Sequence, residues 1–159
     1  NDVHDERRSQ GGCESVHGET RAEVRGQMSK PHRADEIPFL ADLGIEVESS
    51  ADGRCRISAP ITARVINPYG VLHGGITFTL ADTGMGIAVF TLMSPDERTT
   101  TVECSMRYLL PAKSGRIAAE CRVIRRSNRF AITEAEVFDE AGQLLAVAGG
   151  SFYISRSKT

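Results

Sequence analysis

The residue that most needs explaining is Asp82. It falls inside Gly75–Met93, an otherwise oily run that holds Ile76, Phe78, Leu80, Met85, Ile87 and Phe90. An ionised carboxylate in apolar surroundings is costly unless it finds donors or shifts its pKa. Asp is also a mediocre helix former. A local inconsistency of this kind points to a functional position; the bland alternative is an Asp that caps a nearby loop or reaches solvent. Gly75, Thr79, Asp82, Thr83 and Gly86 recur at offsets of about one and two helical turns, so they form a small or polar stripe on the helix. Such a stripe suits close approach by packed backbone or by a ligand.

The second chemical feature is His73-Gly74-Gly75 where that helix begins. A helix start offers free backbone N–H groups and the positive end of the dipole. Glycines let a carbonyl come close, so the place can hold a developing oxyanion. Gly74 and Asp82 are eight residues apart, about 12 Å along one helix. A reacting carbonyl must lie within about 3 Å of both its oxyanion donor and its attacker. Two antiparallel copies of the helix meet that requirement, with Gly74 of one facing Asp82 of the other. The expectation is a two-fold dimer with two sites at its interface.

Several elements must position these groups. Residues 38–43 read as a short helix with Pro38 in its first turn and Gly44 ending it. Ile45–Ser49 and Arg54–Ile61 read as a hairpin, with Cys55, Ile57 and Ala59 facing in and Arg54, Arg56 and Ser58 facing out. A loop at Asn67–His73 leads to the helix Gly75–Met93, which is apolar nearly all round and so expected to be buried. Thr101–Leu110, Arg116–Arg126, Arg129–Asp139 and Gln143–Ser155 read as strands. In the first of these, strict alternation puts Val102, Cys104, Met106 and Tyr108 on one face and Thr101, Glu103, Ser105 and Arg107 on the other. The fold class is α+β, an antiparallel sheet curled around one helix.

The chain has 159 residues, a formal net charge of -2, 40% hydrophobic residues and 25% charged ones. That length predicts one domain. The balanced charge gives no global field for a polyanion, so nucleic acid is not an expected partner. No run of about 20 apolar residues suggests a membrane span. Residues 1–36 hold fourteen charged residues and no Phe, Trp or Tyr, so a mobile tail with solvated His4 and His17 and a helical turn near Glu19–Gln27 is expected, followed by a domain at 37–159. The chain begins with Asn, which makes Met28 the candidate natural start. Cys13, Cys55, Cys104 and Cys121 form no CxxC pair and have no His at ligand spacing, so no metal is expected. Cys55, Cys104 and Cys121 fall on the apolar side of strands, so buried reduced thiols in a cytoplasmic protein are a plainer reading than a disulfide framework. No GxSxG elbow supports an α/β-hydrolase triad.

The stretch Asn67-Pro68-Tyr69-Gly70-Val71-Leu72-His73-Gly74-Gly75 through Asp82-Thr83 resembles the motif of hotdog-fold acyl-CoA thioesterases, and most closely their phenylacetate-pathway (PaaI-like) branch. Thr101-Val102-Glu103, the run Tyr108–Ala112 and the strands through Ile154 resemble it too, so the likeness spans about residues 37–155. It implies a five- or six-stranded sheet around the helix, a homodimer often paired into a homotetramer, and hydrolysis of an acyl- or aryl-CoA with no cofactor beyond the coenzyme A of the substrate. By position, Gly74 matches the glycine whose amide polarises the carbonyl and Asp82 the nucleophile or general base. Asn67 matches an Asn that positions water or the thioester, His73 the motif histidine, and Thr101 a Ser or Thr near the attacking water. His73 either braces its loop through a backbone carbonyl, the favoured reading, or hydrogen-bonds the substrate and transfers a proton. Gly75, Thr79 and Thr83 are candidate substrate contacts.

Arg122, Arg125, Arg126 and Arg129 surround a hairpin at Ser127-Asn128. They either form a solvated turn or attract the phosphates of coenzyme A. The competing functions are an acyl-thioester hydratase or dehydratase on the same fold, and a non-catalytic acyl-CoA-binding module.

Overall fold

The computed structural model describes residues 37–156; the expectations for residues 1–36, Cys13 included, lie outside them. A short helix α1 (Pro38–Asp42) leads into β1 (Glu46–Ala51) and β2 (Arg54–Pro60), and after a loop comes α2 (Gly74–Phe90). Four strands follow: β3 (Glu97–Tyr108), β4 (Arg116–Arg126), β5 (Phe130–Asp139) and β6 (Leu144–Arg156). They form one six-stranded sheet in the order β1-β2-β4-β5-β6-β3, antiparallel throughout. This is the expected α+β sheet around a helix, and it places β3, the strand that follows α2, at one open edge.

The elements end where their sequence dictates. Gly44 closes α1 at φ +66°, a backbone state that L side chains resist. α2 stops at Phe90 rather than Met93. Thr91 accounts for the difference: its hydroxyl donates to Ala88 O at 2.7 Å and accepts from Gly53 N at 2.7 Å, which ties the helix end to the β1–β2 turn.

The core lies between the sheet and one face of α2. Leu80, Ala81, Met85, Ala88 and Val89 are fully buried there against Ile57, Ile117, Val137 and Phe152. The opposite face is not covered, contrary to the expectation of burial all round. Thr79, Asp82, Thr83 and Gly86 are only half-buried, while Gly75 and Phe78 are exposed. One curved sheet can cover only one side of a cylinder, so the remaining apolar surface of α2 stays open in the single chain. Ser58 also departs from expectation. It is buried on the outer face, where Arg116 Nη2 covers it and donates to its Oγ at 3.1 Å.

Gly84 sits at the tightest contact between α2 and the sheet. A Cβ there would lie 2.5 Å from Cys121 Sγ and 2.8 Å from Ile57 Cγ2, both buried side chains. Ala is the better helix former by about 1 kcal/mol, but overpacking a core costs about 1–3 kcal/mol, and this clash is severe. Gly84→Ala is therefore expected to destabilise the protein by about 2 kcal/mol. The measurement is a lower denaturant midpoint at unchanged m-value; an equal or higher midpoint would contradict the packing described.

Candidate active site

The start of α2 is organised by its own residues. His73 is the N-cap, and its Nδ1 accepts from Gly75 N at 2.9 Å. His73 O accepts from Ile76 N at 3.0 Å. Two of the first three helical amides are thus engaged. The third, Gly74 N–H, has no partner among the described residues. This is the amide a bound carbonyl oxygen would meet at the positive end of the helix. The ring of His73 therefore caps the helix start by accepting from a backbone amide, not by bonding a backbone carbonyl as the sequence reading expects.

Asn67 braces the preceding loop. Its Oδ1 accepts from Tyr69 N at 2.9 Å and from Val71 N at 3.3 Å, while its backbone bonds Val71 O and Gly70 N. The side-chain oxygen is therefore committed to the loop, and Nδ2 has no partner among the described residues. Leu72 N and His73 N bond to Ala112 O and Val65 O, which anchors the loop to the rest of the domain.

Asp82 lies two turns further along, half-buried on the open face of α2. Thr101 Oγ1 donates to its Oδ1 at 3.1 Å. The two residues meet because of a β-bulge. The β3–β6 register shifts between Thr101 and Glu103, so Thr101 pairs with buried Phe152 and Cys104 with buried Gly150. Directly opposed residues share a sheet face, so Thr101 lies on the inner face with Cys104, Met106 and Tyr108. Strict alternation had placed it on the other face. The extra residue at Val102 flips the parity and turns Thr101 toward α2.

Cys104 is close enough to feel the carboxylate. Burial, and after it the charge of Asp82, pushes its thiol up to about 11. Burial also pushes Cys55 up to about 12 and raises Cys121 further. All three are free and protonated at neutral pH, so none is an activated nucleophile.

A residue that the sequence reading passed over closes the site at the helix start. Tyr108, the last residue of β3, donates from its hydroxyl to Gly74 O at 2.9 Å. Its ring lies 3.2 Å from where a Cβ on Gly74 would be. It also lines a cavity of about 350 Å³ beside Gly74, with Leu72, Leu109, Leu110, Ala112 and Leu145 among the other walls. Its signals in the sequence were its place at a strand end and at the head of the Tyr108–Ala112 run, and neither ties it to a glycine 34 residues away.

The arginine cluster divides into two pairs. Arg122 is paired with Glu134, and Arg126 Nη2 bonds the buried Glu97 at 2.5 Å. Glu97 also accepts from Ser94 N at 3.0 Å, and these donors hold its carboxyl below the usual range. Arg125 and Arg129 are exposed and have no side-chain partner among the described residues. No cluster of metal-ligating side chains occurs among the described residues, and no helix there is long and apolar enough to cross a membrane.

Comparisons with known proteins bear on the fold and the family. Residues 69–146 match the family model of the thioesterase superfamily. A protein of Saccharolobus solfataricus that carries the name of an esterase is 32% identical over 126 residues, covering 79% of this chain and 88% of that one. The 1,4-dihydroxy-2-naphthoyl-CoA hydrolase of Escherichia coli is 26% identical over 102 residues, covering 64% of this chain and 75% of that one. Among solved structures, a mutant of the phenylacetic acid degradation protein PaaI from Thermus thermophilus superposes with a TM-score of 0.68 at 29% identity, covering 73% of this chain and 97% of that chain. With the sheet order, the central helix and these matches in hand, the chain belongs to the thioesterase superfamily, as a hotdog-fold thioester hydrolase.

Proposed function

We propose that the protein hydrolyses an acyl- or aryl-CoA thioester to the free acid and coenzyme A. The observation that carries this reading is the unpartnered Gly74 amide at the α2 start, with Asp82 about two turns along the same open face. Gly74 N–H polarises the thioester carbonyl. Asp82 attacks the carbonyl carbon, or takes a proton from the water that does. Thr101 orients the carboxylate, and Asn67 Nδ2 is left to donate to water or substrate. The leaving thiolate is weakly basic, so one oxyanion donor and one carboxylate suffice.

The two groups lie about 12 Å apart along one helix, too far to serve one carbonyl. Thr101 and Tyr108 are both on β3, whose outer edge is free in the single chain. Antiparallel apposition of two copies along this edge and the open face of α2 brings each Gly74 toward the other's Asp82. The working unit in this reading is a homodimer, and pairing of dimers into a tetramer extends it. The names of the relatives favour aryl-CoA esters, and the PaaI likeness favours that branch.

The test is release of free thiol from a panel of CoA esters graded from acetyl to palmitoyl and including benzoyl. Hydrolysis of at least one at a rate well above background is expected. No hydrolysis of any would reject the reading. Binding without turnover would favour the acyl-CoA-binding alternative, and addition of water to an enoyl-CoA would favour the hydratase.

Arg125 and Arg129 are the candidates to attract the phosphates of coenzyme A, because their charges are uncommitted among the described residues. The double change Arg125→Ala/Arg129→Ala is expected to raise KM for a CoA ester about tenfold at low salt, with little change for the matching pantetheine ester. Equal effects on the two esters would assign the pair to a solvated turn.

A further inference from the structure

The peptide group joining Gly74 to Gly75 is held from both sides. Its N–H donates to His73 Nδ1 at 2.9 Å, and its carbonyl accepts from Tyr108 Oη at 2.9 Å. The neighbouring amide, Gly74 N–H, has no partner among the described residues. Glycine is the most conformationally free residue, and two in succession would otherwise leave this helix start loosely defined. The Tyr108 ring also packs where a side chain on Gly74 would stand, at 3.2 Å. The same ring forms a wall of the cavity of about 350 Å³ beside Gly74.

We propose that Tyr108 is a positioning residue for the hydrolysis: its hydroxyl fixes the Gly74–Gly75 peptide so that Gly74 N–H points at the thioester carbonyl, and its ring couples that alignment to the group filling the cavity. This rests on the reading of Gly74 as the oxyanion donor. Oxyanion stabilisation depends on donors that are already oriented when charge develops. Loss of the hydroxyl therefore acts on the transition state, while loss of the ring also acts on binding of the ground state.

Tyr108→Phe keeps the ring and removes the hydroxyl. Its kcat is expected to fall about fivefold, the worth of one neutral hydrogen bond, with KM within about twofold of the unaltered enzyme. Tyr108→Ala is expected to lose the same factor in kcat and to raise KM as well, most for the ester that best fills the cavity. Thermal midpoints measured in parallel separate this from a general loss of structure, because Tyr108 is about half exposed and Tyr108→Phe should melt close to the unaltered protein. An unchanged kcat in Tyr108→Phe, or a change in KM alone, would overturn the positioning role. Absence of hydrolysis by the unaltered enzyme on every ester would instead overturn the proposed function, and this role with it.

Discussion

Asp82→Asn is expected to lower kcat for CoA-ester hydrolysis by about a thousandfold or more, with KM little changed. The amide is nearly isosteric with the carboxylate and can still accept from Thr101, so the local geometry survives. What is lost is the negative charge that attacks carbon or accepts a proton from water. Asp82 is half-buried on the open face of α2 and takes no part in the core, so the fold should be retained. Circular dichroism and size-exclusion profiles matching those of the unaltered protein would show this. Turnover within about tenfold of normal would remove Asp82 from the chemistry.

The second large effect is expected from Gly74→Pro. Proline removes the Gly74 N–H, which has no partner among the described residues. It does so where helices tolerate it, because Gly74 is the first helical residue. The preceding residue is also compatible: His73 has φ −65° and ψ 127°, within the extended region that proline demands of its predecessor. The added ring atoms press on the partly exposed Tyr108 ring, 3.2 Å from a Cβ at Gly74, so the loss includes any displacement of Tyr108. Loss of an oxyanion donor costs about 100- to 1000-fold in kcat, and that is the expected range. Co-expression then asks which chains build a site. If Gly74 and Asp82 meet across a two-fold interface, a heterodimer of Gly74→Pro with Asp82→Asn carries one intact site and one doubly damaged site. Random pairing of equal amounts gives heterodimers in about half the population, so about one quarter of normal activity should return. No recovery from the mixture would show that each site is built within one chain, and would sink the dimer argument.

Much of this arrangement was legible before the structure. Gly44, the alternating strands and the turn glycines marked element boundaries to within a few residues, because those signals are local. Asp82 and the His-Gly-Gly step were legible because each contradicts its surroundings or sits at a helix start. The cap from His73 Nδ1 to Gly75 N spans two residues and so follows from local stereochemistry. Other parts were hidden. The end of α2 depends on Thr91 meeting Gly53, 38 residues earlier. Arg126, counted among phosphate-binding candidates, bonds the buried Glu97, 29 residues away in sequence. The clasp of Tyr108 on Gly74 spans 34 residues.

The division has a physical cause. Composition and periodicity determined an α+β domain, one long apolar helix, and a carboxylate and a free helix start placed on it. Those properties depend on backbone periods and on transfer energies, which each residue carries with it. The tertiary structure decided which side of that helix the sheet covers. An apolar residue facing the sheet and one on the uncovered side of the helix have the same transfer energy, so the sequence alone makes both look buried. It also decided that Thr101 meets Asp82. A single extra residue at Val102 reverses the facing of the strand before it, and that bulge exists only in the register of β3 against β6, a pairing of residues distant in sequence.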